Sequence, residues 1–127
     1  MSEHPNAAMY RGVMEKLNAG DVSAMASSIA DDVVWWQIGS AEPIRGKEAL
    51  MESMSLFDQV DFELDLTDVV ANDDMVVGLV TATVRAGDDA ITYRTAEVAR
   101  IKDGMVTERR AYSDDTEAIN NFFAQLG

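Results

Sequence analysis

The sequence predicts an α+β fold in which helices come first, a run of consecutive antiparallel strands follows, and one helix closes the chain. Three observations carry this expectation. Apolar residues recur at helical spacing in the first part of the chain, alternate between turn signals from Phe62 to Ser113, and return to helical spacing in the last dozen residues. At 127 residues the chain has room for one domain, residues 1–127, which would bury roughly two-thirds of the surface its unfolded form exposes.

Tyr10, Val13, Met14 and Leu17 share one helical face, with Pro5 suited to the first turn and Gly20 to the position just past the end. Asp21 can cap a second short helix that buries Val22, Met25, Ala26 and Ile29, and the two helices form a hairpin. After a turn at Asp31-Asp32, the β-branched and aromatic stretch Val33 to Ile38 reads as a strand, ended by a Gly39 to Gly46 loop that contains Pro43. Leu50, Met54 and Phe57 give a helix from Lys47 to Phe57.

Phe62, Leu64 and Leu66 alternate with Glu63, Asp65 and Thr67, the pattern of a half-buried strand reaching about Asn72. Turns at Asp73-Asp74, Gly87-Asp88-Asp89 and Asp103-Gly104 then divide three more strands, Met75 to Arg85, Ala90 to Lys102 and Met105 to Ser113, into an antiparallel meander. Ile119, Phe122, Phe123 and Leu126 define the closing helix.

Composition narrows the function classes. The net charge is -13, and nine acidic residues lie between Lys47 and Arg85 with no basic one among them. Nucleic acid and anionic membrane surfaces are therefore not expected partners, because both need clustered Lys and Arg. The chain has no cysteine and a single histidine, His4, near an end expected to be solvated. That excludes thiol nucleophiles, Ser-His-Asp catalysis and histidine- or thiolate-rich metal sites, and no metal or cofactor is expected. No apolar run approaches the ~20 residues that span a bilayer. The opening residues carry no charged-then-apolar leader, so a cytoplasmic location is expected.

Leu17-Asn18-Ala19-Gly20-Asp21, Ala30-Asp31-Asp32, Gly39-Ser40, Glu42-Pro43 and Arg45-Gly46 resemble the opening of ketosteroid isomerases. Ala99 through Val106, Arg110 through Asp114 and Gln125-Leu126-Gly127 are similar to the ends of SnoaL-like chains. The chain thus resembles the nuclear-transport-factor-2-like superfamily, in its SnoaL-like and ketosteroid-isomerase-like branch. That resemblance implies a cone in which a curved antiparallel sheet wraps the N-terminal helices around an apolar interior, with a homodimer formed through the outer sheet face. It also implies a pocket for a small apolar molecule with a polar handle. An isomerase- or cyclase-like acid-base enzyme, an epoxide-hydrolase-like enzyme and a non-catalytic binding module all remain open.

Along Ala90 to Lys102, alternation groups Tyr93, Thr95 and Glu97 on the more apolar face. Desolvation of Glu97 in a cone favours its neutral form, which can donate a hydrogen bond, and by resemblance Glu97 matches the oxyanion-hole aspartate of ketosteroid isomerases. An internal ion pair is the competing reading. Its arginine depends on the hairpin: a three-residue loop puts Arg109 opposite Glu97, a two-residue Asp103-Gly104 loop puts Arg110 there, and the resemblance favours Arg109. Gln37 falls where the isomerases carry their base and Val13 where they carry a tyrosine. Trp35 shares the parity of Gln37, so the two can line the pocket together, although paired tryptophans also serve as core or interface residues. Tyr10, one turn before Val13, either points its hydroxyl into the same cavity or out to the surface. Asp114 matches a base that SnoaL-like cyclases place after the last strand, and it also sits three residues before Glu117, the spacing of a capping box.

Overall fold

The structure, a computed structural model, describes residues 3–55 and 60–125, and for Ala24 the backbone alone. Phe57, Leu126 and the Gln125-Leu126-Gly127 end beyond Gln125 lie outside the described residues. Helix α1 is Pro5–Asn18, with the proline at its first position, and it buries Ala7, Tyr10 and Met14. His4 is not a solvated bystander: it is the N-cap, its ring accepts from the Asn6 N–H, and Nε2 lies 2.9 Å from Asp73 Oδ1. Gly20, with φ +85°, takes the left-handed conformation that ends the helix.

The expected second helix is a 3-10 segment, Val22–Ser28, and Ile29 belongs instead to strand β1, Ile29–Trp35. Asp31-Asp32 is not a turn. It lies inside β1, where pairing slips between Ile29 and Val34, so that both carboxylates stay exposed while Val33 and Trp35 turn inward. The strand ends at Trp35, not Ile38. The following loop contains a two-residue strand, β2 (Ile44–Arg45), which pairs with Trp35 and Val34. Helix α2, Lys47–Ser53, is shorter than expected and buries Leu50 completely.

Strands β3 (Asp61–Ala71), β4 (Met75–Ala86), β5 (Asp89–Lys102) and β6 (Met105–Ser113) form the sequential antiparallel meander that alternation predicted. The six-stranded order is β2-β1-β6-β5-β4-β3, and β1 runs parallel to β6, which makes the sheet mixed. Pairing slips between Leu66 and Asp68 and between Arg100 and Ile101, and such bulges bend a sheet and increase its twist. The first of them moves Val69 and Ala71 to the inner face in continuation of Leu66.

Helix α1 lies across the inner face of β3 and β4. Its last residue, Asn18, binds the backbone of the edge strand in the manner of a neighbouring strand: Nδ2 donates to Leu64 O (2.6 Å) and Oδ1 accepts from Leu64 N (2.7 Å). Helix α3, Thr116–Ala124, closes the chain and buries Ile119 and Phe122. Among the described residues no helix is long and apolar enough to cross a membrane.

Candidate functional site

A cavity of about 120 Å³ lies between α1, the 3-10 segment and the inner sheet face. Its walls are almost wholly apolar. Met9, Met14, Met25 and Met54 supply flexible, polarizable surface, while Phe62, Leu64, Val80, Ala82 and Val84 come from the inward positions of β3 and β4. Those strand residues were legible from the same alternation that selected Glu97, but only after their strands were known to face the same space.

Glu97, Thr95 and Tyr93 follow one another along the inner face of β5, and all three line the cavity, as do Val13 and Trp35. Glu97 retains only 7 % of its surface. Its Oε1 accepts from the Tyr10 hydroxyl (2.8 Å), from Arg109 Nη2 (3.0 Å) and from Arg109 Nε (3.3 Å). Among the described residues, its Oε2 has only the Thr95 hydroxyl, at the long distance of 3.5 Å. One oxygen is thus saturated, and the other keeps accepting capacity in the direction of the cavity-lining Thr95.

Arg109 is fixed from three sides. Besides Glu97, its Nη1 donates to the backbone carbonyl of Trp36 (3.1 Å), and its guanidinium carbon stands 4.6 Å from the centre of the Trp35 ring. Neither hairpin register expected from the sequence is the one adopted. Asp103 (φ 53°) and Gly104 (φ 77°) form the two-residue loop, with Lys102 opposite Met105. Thr107 is then bulged out, its hydroxyl bonded to Arg100 O (3.3 Å), and the register shifts by one. Arg109 therefore lies opposite Ala99 and Ala111 opposite Glu97, so the ion pair is diagonal, on the inner face, while Arg110 points outward.

Tyr10 reaches Glu97 because Gly78, directly opposite Glu97 on β4, carries no side chain. A Cβ there would stand 3.0 Å from the Tyr10 ring and 3.1 Å from Leu66. Burial, then the Glu97 charge, push the Tyr10 hydroxyl well above its ordinary pKa of 10.0, and the same two causes raise that of Tyr93. Tyr10 is consequently a neutral donor. The roles of Gly78 and of the Trp36 carbonyl had no signature in the sequence, since both depend on which strand lies opposite.

Two expected site residues are elsewhere. Gln37 follows the end of β1, where strand alternation no longer holds, and Ile38 lines the cavity in its place. Asp114 continues the β5–β6 ladder at the exposed end: Oδ1 accepts from Arg94 N (3.2 Å), and its own N–H donates to Arg94 O (3.2 Å). It neither lines the cavity nor caps α3; Asp115 is the cap, accepting from Ala118 N (3.1 Å). Among the described residues no three histidine or acidic side chains converge as a metal site would require.

A family model described as a SnoaL-like domain matches residues 10–109. Among curated proteins none matches the chain significantly. Solved structures share its fold. An LEH-like epoxide hydrolase from M. tuberculosis aligns with TM-score 0.79 at 20 % identity, over 95 % of this chain and 91 % of its own. AclR, a putative hydroxylase from Streptomyces galilaeus, aligns with TM-score 0.76 at 15 % identity, over 97 % and 98 %. A computationally designed 17-OHP binder aligns with TM-score 0.76 at 19 % identity, over 87 % and 92 %.

Proposed function

This chain belongs to the SnoaL-like domain family, and from that premise we propose that its cavity takes a small, largely apolar molecule bearing one polar handle, recognised by Glu97. A single observation carries this reading: the carboxylate is held rigidly through Oε1, while Oε2 has one long contact in an otherwise apolar space. A buried acceptor left short of donors is worth more to a ligand than the same group in water. An apolar cavity of about 150 Å³ accommodates benzene, so the present volume suits a single ring or a short chain. The lining methionines supply the give for somewhat larger molecules.

The test is a thermal-shift and calorimetric screen of small ketones, lactones, epoxides and alcohols against the parent protein and Glu97→Gln. A hydroxyl-bearing ligand is expected to lose roughly tenfold or more in affinity in the variant. Equal binding by both proteins removes Glu97 as the anchor.

Catalysis is a second reading, favoured by the same open Oε2. One buried carboxylate can take a proton from one position of a bound molecule and return it to another, an isomerisation that balances without a co-reactant. With Gln37 and Asp114 away from the cavity, Glu97 is its base, with Arg109 and Tyr10 holding the carboxylate in place. Any turnover found is then abolished in Glu97→Gln and kept in Asp114→Asn; loss in Asp114→Asn overturns this assignment. The reading includes a homodimer through the outer sheet face, where Leu79 and Tyr112 are exposed. Native mass spectrometry reads it directly, and a monomer at micromolar concentration refutes it.

A further inference from the structure

Strand β5 lines the cavity with a row of three oxygen-bearing side chains, Tyr93, Thr95 and Glu97, at successive inward positions. The reading above uses one end of that row. Thr95 is committed to Glu97 Oε2. The Tyr93 hydroxyl, at the other end, has no hydrogen-bond partner among the described residues. It is not sealed in either: among those residues the one enclosed side-chain polar atom without a partner is Trp35 Nε1. Tyr93 is half-buried, and Ala82, its neighbour across the ladder, also belongs to the cavity wall. Burial first and the Glu97 charge second raise the pKa of Tyr93, while the Arg109 charge opposes them. The hydroxyl therefore stays neutral and lies within the field of both charged side chains that line the cavity. Ser28 is a second lining hydroxyl without a partner among the described residues, but it ends the 3-10 segment, off this row.

We infer that Tyr93 is a specificity-determining residue, whose hydroxyl donates to a second oxygen of the ligand while Glu97 Oε2 accepts from a hydroxyl at the ligand's other end. The inference rests on the proposed function above and deepens it to a ligand class: hydroxy ketones, or comparable hydroxy-carbonyl compounds, whose two oxygens lie across one ring. Strand geometry sets that separation. The four residue steps from Tyr93 to Glu97 span roughly 13 Å, close to the length of a six-membered ring with oxygens at positions 1 and 4 and a hydrogen bond at each end. The edges of such a ring meet hydrocarbon from Met9, Val13, Met25 and Val84. An alcohol satisfies Glu97 alone, and a hydroxy ketone satisfies both ends of the row.

The experiment uses three probes: cyclohexanol, 4-hydroxycyclohexanone and 4-methylidenecyclohexanol, in which a group of the same outline replaces the carbonyl and accepts no hydrogen bond. Calorimetry reads their affinities for the parent, Tyr93→Phe, Ser28→Ala and Glu97→Gln. The deciding quantity is the preference for the ketone over its methylidene analogue. That preference should drop by roughly fivefold in Tyr93→Phe and keep its parent value in Ser28→Ala, while Glu97→Gln weakens all three probes. Because the hydroxyl bonds to none of the described residues, Tyr93→Phe should melt within error of the parent; a clearly lower melting temperature means a lost internal contact and overturns the inference. If the preference survives in Tyr93→Phe, or disappears in Ser28→Ala, the role of Tyr93 is overturned and Glu97 remains the anchor. If no probe binds the parent, the proposed function fails along with it.

Discussion

Two copies of the same side-chain trio stand back to back in this protein, one on each face of the sheet. Inside, Arg109 stacks at 4.6 Å on Trp35 and pairs with Glu97 at 3.0 Å; outside, Arg110 stacks at 4.6 Å on Trp36 and pairs with Glu108 at 2.9 Å. The arginines are consecutive inside β6, so strand alternation sends one to either face, and Trp36, the residue just past the end of β1, packs outward on Arg110. The distances are almost equal, but the surroundings are not: the inner charged side chains are 11 % and 10 % exposed, the outer ones 46 % and 33 %. Water screens the outer pair and leaves it with little influence on stability. The inner pair has no such relief, so its geometry matters for folding and its spare capacity matters for binding.

The largest test of that contrast is Arg109→Ala. It strands a buried carboxylate, and chemical denaturation should show a loss of about 3–5 kcal/mol, most of it recovered when Glu97 is also replaced by leucine. If Arg109→Ala unfolds no more readily than Arg110→Ala, the two faces are energetically alike and the contrast is false. Tyr10→Phe removes the third donor to Oε1, and about 2 kcal/mol should go with it.

Alkaline titration sharpens the same point. The folded-state pKa of Tyr10 is raised above its ordinary value of 10.0, so below pH 10 its contribution is whole. Above that, the unfolded chain releases this proton and the folded one does not, so Tyr10 alone should lower stability by about 1.4 kcal/mol per pH unit, and Tyr93, raised in the same direction, adds to the fall. Tyr10→Phe should reduce that slope and leave the part due to Tyr93. Gly78→Ala presses a methyl against the Tyr10 ring and should cost about 1 kcal/mol, together with a measurable change in Tyr10 fluorescence or its ring resonances. Arg110→Ala is the smallest: its melting temperature should be that of the parent within error.

The elements with strong internal periodicity were legible before any coordinates. The Tyr10-Met14 face, the Phe62-Leu64-Leu66 alternation and the three acidic or glycine turns of the meander appear where the spacing put them. Irregular stretches misled. Asp31-Asp32 looks like a turn, because an exposed pair of acids inside a slipped strand has the same composition as one. Asp114 has capping-box spacing, but Asp115 takes the cap because Asp114 is already committed to the backbone of Arg94.

What the sequence settled unaided is parity: Tyr93, Thr95 and Glu97 share a face, and Arg109 and Arg110 cannot, since a strand repeats every two residues whatever it pairs with. What only the tertiary structure decided is which arginine goes inward. One residue left out of the ladder at Thr107 reverses the answer that the two-residue Asp103-Gly104 loop implies, because a one-residue slip moves every later side chain to the other face. Where such a bulge forms depends on how β5, β6 and β1 fit one another, and those contacts join parts of the chain that no local pattern can connect.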